Sequence, residues 1–180
     1  MKTIGLIPGG MKPFHKGHDF IVQEAIRECD EVILFTSAKD RGIIKGLNMA
    51  KAWKTIIQPL LTGLDRIEFV RSPVGGVYTY LETEGVSDNE YRIYAGIEEV
   101  KRFRPEYLAK HLPDLTIIQP ATLNPERYDR TGSKGVDASA TAVRNAIEVG
   151  NFQLFESYLP DYLKPYAKEY LSILLSLIHI

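Results

Sequence analysis

Cysteine is nearly missing from this 180-residue chain: Cys29 stands alone. A single thiol excludes a disulfide framework and a cysteine-rich zinc site, and it fits a reducing cytosol. Charge imbalance is missing as well. Lys and Arg number 22 against 23 Asp and Glu, a net charge of −1, which argues against a dedicated nucleic-acid or polyanion binder. There is no long hydrophobic run. Residues 171–180 are apolar but only ten long, where about 20 are needed to cross a bilayer. The N-terminus opens on a strand-like run and lacks the zones of a secretory signal. The expectation is a cytoplasmic protein without a membrane or nucleic-acid partner.

What is present is ordinary globular material, 44% apolar and 25% charged, enough for one good core. Strand-like and helix-like segments alternate. Residues 3–7, 31–36, 66–70, 91–95 and 115–118 read as five short strands, the second carrying the continuous apolar run Val32-Ile33-Leu34-Phe35. Val22, Ala25, Ile26 and Cys29 share one helical face, and Met49, Ala52, Trp53, Ile56, Ile57 and Leu60 share another. Helices are also expected over 76–84, 97–103, from about 139 to 150, 152–158 and 162–172. This alternation predicts an α/β fold, a doubly wound five-stranded parallel sheet with C-terminal helices. Ligands of such sheets bind beyond the carboxyl ends of the strands. The domain is expected over 1–158, with a helical extension over 159–180. The last six residues resemble a translated read-through tail, are expected to be non-native, and are assigned no function.

Two segments stand out by charge. Residues 39–54 hold five cations (Lys39, Arg41, Lys45, Lys51, Lys54) against Asp40, whereas residues 82–99 hold six acids against Arg92. Solvated helix faces would account for both; an anionic substrate after the second strand would account for the first. Residues 120–138 form the longest aperiodic stretch and carry Arg127, Arg130 and Lys134. A lid that closes over a bound nucleotide or a plain connector both fit.

The strongest signal is Pro8-Gly9-Gly10-Met11-Lys12-Pro13-Phe14-His15-Lys16-Gly17-His18, which joins the first strand to the first helix. Glycines let backbone approach a ligand closely, and a helix starting near His18 offers unpaired N–H groups to a phosphate. Imidazoles add donors that follow charge developing on a phosphoryl oxygen. One histidine would suit a turn with a cap; two, three residues apart across a glycine, point to phosphate. A zinc site from the same pair would need His111, His179 or a carboxylate as a chance third ligand. The second segment is Val136-Asp137-Ala138-Ser139-Ala140-Thr141-Ala142-Val143-Arg144. Ser139 suits an N-cap, and Arg144 lies off the apolar stripe of Val143, Ala146 and Ile147.

Gly9 to His18 resembles the GxFxPxHxGH signature of the nucleotidylyltransferase superfamily, which includes nicotinamide-mononucleotide, pantetheine-phosphate and glycerol-phosphate nucleotidylyltransferases. The HxGH element is also similar to that of class I aminoacyl-tRNA synthetases, which carry further domains. Residues 136–144 resemble the superfamily's second motif, I-S-S/G-T-x-x-R. Gly96-Ile97-Glu98 is similar to a third, G-x-D, with Glu98 where aspartate is usual. Gly10 and Lys12 stand where Thr, Ser or Arg, and Asp, Asn or Gln, often stand.

The resemblance implies the Rossmann-like HUP-type fold and nucleotidylyl transfer. A nucleoside monophosphate, AMP from ATP in the first instance, would pass to a phosphorylated small molecule with release of pyrophosphate. A CTP-dependent cytidylyltransferase or a non-catalytic nucleotide sensor are its alternatives. It implies His15, His18, Lys16 and Arg144 as catalytic residues. Gly9, Gly10, Met11, Gly17, Gly96, Glu98, Ser139 and Thr141 would bind nucleotide, and Lys12, Lys39 and Arg41 the acceptor. Mg²⁺ would be carried mainly by the triphosphate, with no metal ligands from the protein. A homo-oligomer stays open.

Overall fold

The computed structural model describes residues 1–115, 118–122 and 139–177. Five strands form one parallel sheet: β1 (Thr3–Gly9), β2 (Glu31–Ser37), β3 (Arg66–Val70), β4 (Glu90–Ala95) and β5 (Ile118–Thr122), in the order β3-β2-β1-β4-β5. Ile4 pairs with Glu31 on one side of β1 and with Tyr91 on the other. Chain order reverses at β1, so the switch point lies between β1 and β4. The expected doubly wound α/β sheet is what forms. The helices are α1 (Lys16–Glu28), α2 (Gly46–Ala52), α3 (Gln58–Leu60), α4 (Pro73–Glu84), α5 (Ile97–Val100), α6 (Pro105–His111), α7 (Ala140–Glu148), α8 (Phe152–Ser157) and α9 (Ala167–Leu174). A π-helical turn, Trp53–Ile57, joins α2 to α3.

The chain divides into two compact units. The first comprises Met1–Gly10, Ile21–Ser37 and Gly63–Pro125. It holds the sheet. Ile4, Leu6, Ile33 and Phe35 point to one face and pack with Val77, Tyr80 and Leu81 of α4 and with Phe103, Leu108 and Leu112. Gly5 points to the other face. A Cβ there would lie 3.1 Å from Cys29 Sγ and 3.4 Å from Ala25 of α1, so glycine is what lets helix and strand approach. The strands β1 and β2 are thus apolar on both faces, the pattern their sequence shows.

The second unit comprises Met11–Phe20, Ala38–Thr62 and Glu126–Ile180. Its core includes Trp53, Ile57, Phe155, Leu163, Tyr170 and Leu174, all at most 1% exposed. The helix α2 packs on α9, and α7 on α8. Asn48, buried in α2, donates to the carbonyls of Leu174 (3.1 Å) and Ser176 (2.9 Å) at the end of α9. Ser176 lies in the tail to which the sequence assigns no function.

Several boundaries differ from the sequence reading: β5 is described over Ile118–Thr122 rather than 115–118, and α9 begins at Ala167 rather than at 162. The helix α1 starts at Lys16, not near His18. The helix α4 starts at Pro73 rather than at 76, because Ser72 caps it by accepting from Gly75 N–H and Pro73 takes the first turn. The expected helix over 97–103 is α5 alone, four residues long, followed by a turn and by α6, which the pattern did not reveal. Among the described residues no helix is long and apolar enough to cross a membrane.

Candidate active site

The loop from Met11 to His15 belongs to the second unit. Met11 has a φ of 49° and the Lys12–Pro13 peptide is cis. Left-handed backbone at a residue with a side chain costs about 1–2 kcal/mol; burial holds Met11 there, at 4% exposure. Outliers of this kind cluster at functional sites.

The two histidines form one device. Gly17 N–H donates to His15 Nδ1 at 3.0 Å, and His15 N–H donates to His18 Nδ1 at 3.3 Å. A ring nitrogen that accepts carries no proton, so the hydrogen-bond network assigns the neutral Nε2–H tautomer to both. The rings stack with centroids 3.7 Å apart and 26° between planes. Burial, with Lys16 beside it, pushes His15 down to about 3. Burial, with His15 beside it, holds His18 well below the ordinary imidazole value. At neutral pH the pair is uncharged and presents two N–H donors.

The first turn of α1 is less open than expected. Lys16 N–H donates to Tyr158 O at 2.7 Å, and Gly17 N–H is already used. Two amides that an incoming anion would use therefore have partners, and the imidazoles and cations carry more of the site.

Those cations converge within the unit. Lys12 is 4% exposed; burial, with Arg41 adding and Asp40 opposing, brings its amine down to about 8. Arg144 Nη1 donates to Lys12 O at 2.7 Å, across 132 residues of chain, and Nη2 to Thr141 Oγ1 at 3.2 Å. Burial and Arg41 lower the Arg144 guanidinium too. Gly42 lies so close that a Cβ there would be 3.3 Å from Arg144 Cδ, and its φ is +55°. The positive φ and the close approach both favour glycine at that position. Arg41 thus bears on both Lys12 and Arg144, and cations gathered in this way favour an anion. Ser139 Oγ accepts from Ala142 N–H at 3.1 Å and caps α7. Thr141 is exposed, and its hydroxyl proton remains available because the oxygen acts as acceptor to Arg144.

The other expected residues fall in the first unit, are exposed, or lie outside the described residues. Gly9, Gly10, Gly96 and Glu98 belong to the first unit. Gly9 ends β1, and Gly10 O accepts from Thr36 Oγ1 at 3.1 Å. A Cβ on Gly10 would meet nothing within 4 Å, so the absent side chain leaves open space. Gly96 precedes α5. The Glu98 side chain lies outside the described residues, as do Arg127, Arg130, Lys134 and His179. Lys39 is exposed. Among the described residues no group of three His, Cys, Asp or Glu could hold a metal. A groove of about 400 Å³ runs along β3, lined by Arg66, Arg71, Thr79 and Tyr80, but none of the expected residues lines it.

Sequence reasoning missed the aromatic partners of the loop. Tyr170 OH donates to Phe14 O at 2.9 Å, and Tyr162 OH to Asp19 Oδ1 at 2.8 Å. Their helical periodicity marks them only as core, since nothing in local pattern signals a contact 156 residues away.

No protein-family profile and no curated protein matches the chain. Solved structures do. A putative nicotinate-nucleotide adenylyltransferase from Vibrio parahaemolyticus superposes with a TM-score of 0.55 at 15% identity, covering 93% of this chain and 99% of that one. The nicotinic acid mononucleotide adenylyltransferase of Plasmodium falciparum, in complex with NaAD, gives 0.59 at 10% identity and covers 99% and 100%. Thermotoga maritima TmcAL bound with alpha-thio ATP gives 0.58 at 16% identity over 94% of this chain; the chain spans 56% of TmcAL's length. At these identities the likeness is one of architecture, and the chain has the Rossmann-like fold of the nucleotidylyltransferases.

Proposed function

We propose that the protein transfers a nucleoside monophosphate, AMP from ATP, to a phosphorylated small molecule. The observation that carries this reading is the meeting of the two sequence motifs in one unit: Arg144 is bonded to Lys12 O, on the loop that leads into a pair of neutral imidazole donors. An acceptor phosphate oxygen attacks the α-phosphorus and forms the new P–O bond. The bond from α-phosphorus to the α,β-bridging oxygen breaks, and its electron pair leaves with pyrophosphate. No protein nucleophile takes part. His15 and His18 donate from Nε2 to the α-phosphoryl oxygens, where negative charge accumulates. Arg144 and Lys16 hold the β- and γ-phosphates, and Thr141 adds a donor. Lys12 and Arg41 face the acceptor's anionic group. Gly17 gives the nucleotide backbone to lie against. Mg²⁺, carried by the triphosphate, would supply charge neutralisation.

The test is pyrophosphate release from ATP and CTP against a panel of phosphorylated small molecules. Release with one acceptor supports the reading, and the preferred triphosphate fixes the nucleotide. His18→Ala should then lower kcat by about 10²–10³ with little change in ATP affinity. Tight ATP binding without release for any acceptor would replace transfer with nucleotide sensing.

A further inference from the structure

We propose that Tyr170, on α9, is a positioning residue for His18: its hydroxyl fixes the Phe14–His15 peptide, whose N–H in turn selects the tautomer of the His18 ring. The inference rests on the reading of the histidines as phosphoryl-oxygen donors. Tyr170 is fully buried, packed beside Phe155 and 3.9 Å from Met49 Sδ. Its hydroxyl donates to Phe14 O at 2.9 Å. The same peptide unit donates, through His15 N–H, to His18 Nδ1 at 3.3 Å. A peptide unit is planar, so orienting its carbonyl orients its N–H. With Nδ1 accepting, the proton of His18 must sit on Nε2. Let the peptide tilt and Nδ1 is free to take the proton, which turns Nε2 into an acceptor facing phosphoryl oxygens, a repulsive arrangement. Burial keeps the phenol of Tyr170 protonated far beyond neutral pH, so the hydroxyl remains a donor.

Two neighbouring contacts hold the same loop from the same stretch of chain. Tyr162 OH donates to Asp19 Oδ1, and Tyr158 O accepts from Lys16 N–H. Tyr170 differs from them in acting on the peptide whose N–H contacts His18 Nδ1. A residue that merely filled the core would leave the imidazole protons where they are when its hydroxyl alone is removed.

The test is Tyr170→Phe, which keeps the ring, with Tyr166→Phe on the exposed Tyr166 as control. Imidazole nitrogen NMR should show His18 with a protonated Nε2 in the wild type. In Tyr170→Phe the two His18 nitrogen signals should move toward each other as tautomers mix. Exchange of the His15 amide should quicken about tenfold, as loss of one net hydrogen bond implies. Turnover should fall about tenfold with the KM for ATP within about twofold, since the loss acts on the transition state. Tyr166→Phe should change none of these. An unmoved His18 spectrum in Tyr170→Phe overturns the proposal, with or without lost turnover. If the wild type releases no pyrophosphate with any acceptor, the transfer reading falls, and the spectrum still decides the tautomer by itself.

Discussion

Two imidazoles stacked at 3.7 Å would repel if both were protonated, and burial removes the water that could screen them. Their charge state therefore has a pH signature. The unfolded histidines take protons near 6.5, whereas folded His15 resists down to about 3. Between those values the unfolded state binds more protons, so stability falls as pH drops through the window and is unaffected above it. Urea titrations from pH 7 to 4 should show this fall, and His15→Gln should flatten it; equal slopes would place the shift elsewhere. For the same reason turnover should show no histidine limb near pH 6.5. Lys12 has the same kind of consequence in an alkaline window. Its amine is lowered from 10.5 to about 8, so the unfolded state holds the extra proton between about 8 and 10.5, and stability rises with pH across that span. Below pH 8 the buried charge is a standing cost. Lys12→Met should raise stability at pH 7 by about 1–3 kcal/mol and remove the alkaline rise, while raising the acceptor's KM. A variant no more stable than the parent would mean that Lys12 is better solvated than its burial indicates.

At the scale of elements, α2 and α9 are joined by one polar side chain. Asn48 gives its amide protons to Leu174 O and Ser176 O, carbonyls left over at a helix end. Asn48→Ala should cost about 1–3 kcal/mol in chemical denaturation, because buried acceptors lose their partner; a loss under about 0.5 kcal/mol, the range of an ordinary surface change, would show that water replaces it. This contact also marks the limit of what the sequence makes legible. Strands β1 and β2 are readable because burial on both faces leaves continuous apolar runs. The histidine loop and Arg144 stand out because they carry the two motifs that resemble a known family's. The start of α4 is not, because Gly75 and Gly76 look like breakers. A Cβ on Gly76 would come within 3.0 Å of Val70 and 3.1 Å of Phe35, so that glycine serves close helix-to-sheet approach. The helix α6 buries only Leu108, too few apolar positions for a period. The roles of Asn48, Tyr162 and Tyr170 depend on contacts more than 120 residues apart, which no local pattern carries. The lid or connector over 123–138 lies outside the described residues.

At the scale of the whole molecule, the second unit is assembled from three separate stretches of chain, and its core draws heavily on the last of them. Leu159, Leu163, Ala167, Tyr170 and Leu174 are each at most 1% exposed. Deleting residues 159–180 removes all five, together with the hydroxyl partners of Phe14 and Asp19. Burial of one large apolar side chain is worth about 1.5–3 kcal/mol, and folded domains hold only about 5–15 kcal/mol in total, so the loss of several exceeds what the unit can absorb. The apolar cluster on the sheet of the first unit, by contrast, takes every member from residues before 119. A chain ending at Tyr158 should therefore lose amide-exchange protection across 11–20 and 38–62 and fail to bind a non-hydrolysable ATP analogue, while strands β1, β2 and β4 keep measurable protection. Retained protection over 11–20, or undiminished nucleotide binding, would show that the histidine loop holds its shape without the C-terminal helices, and the tyrosine contacts would then be packing alone.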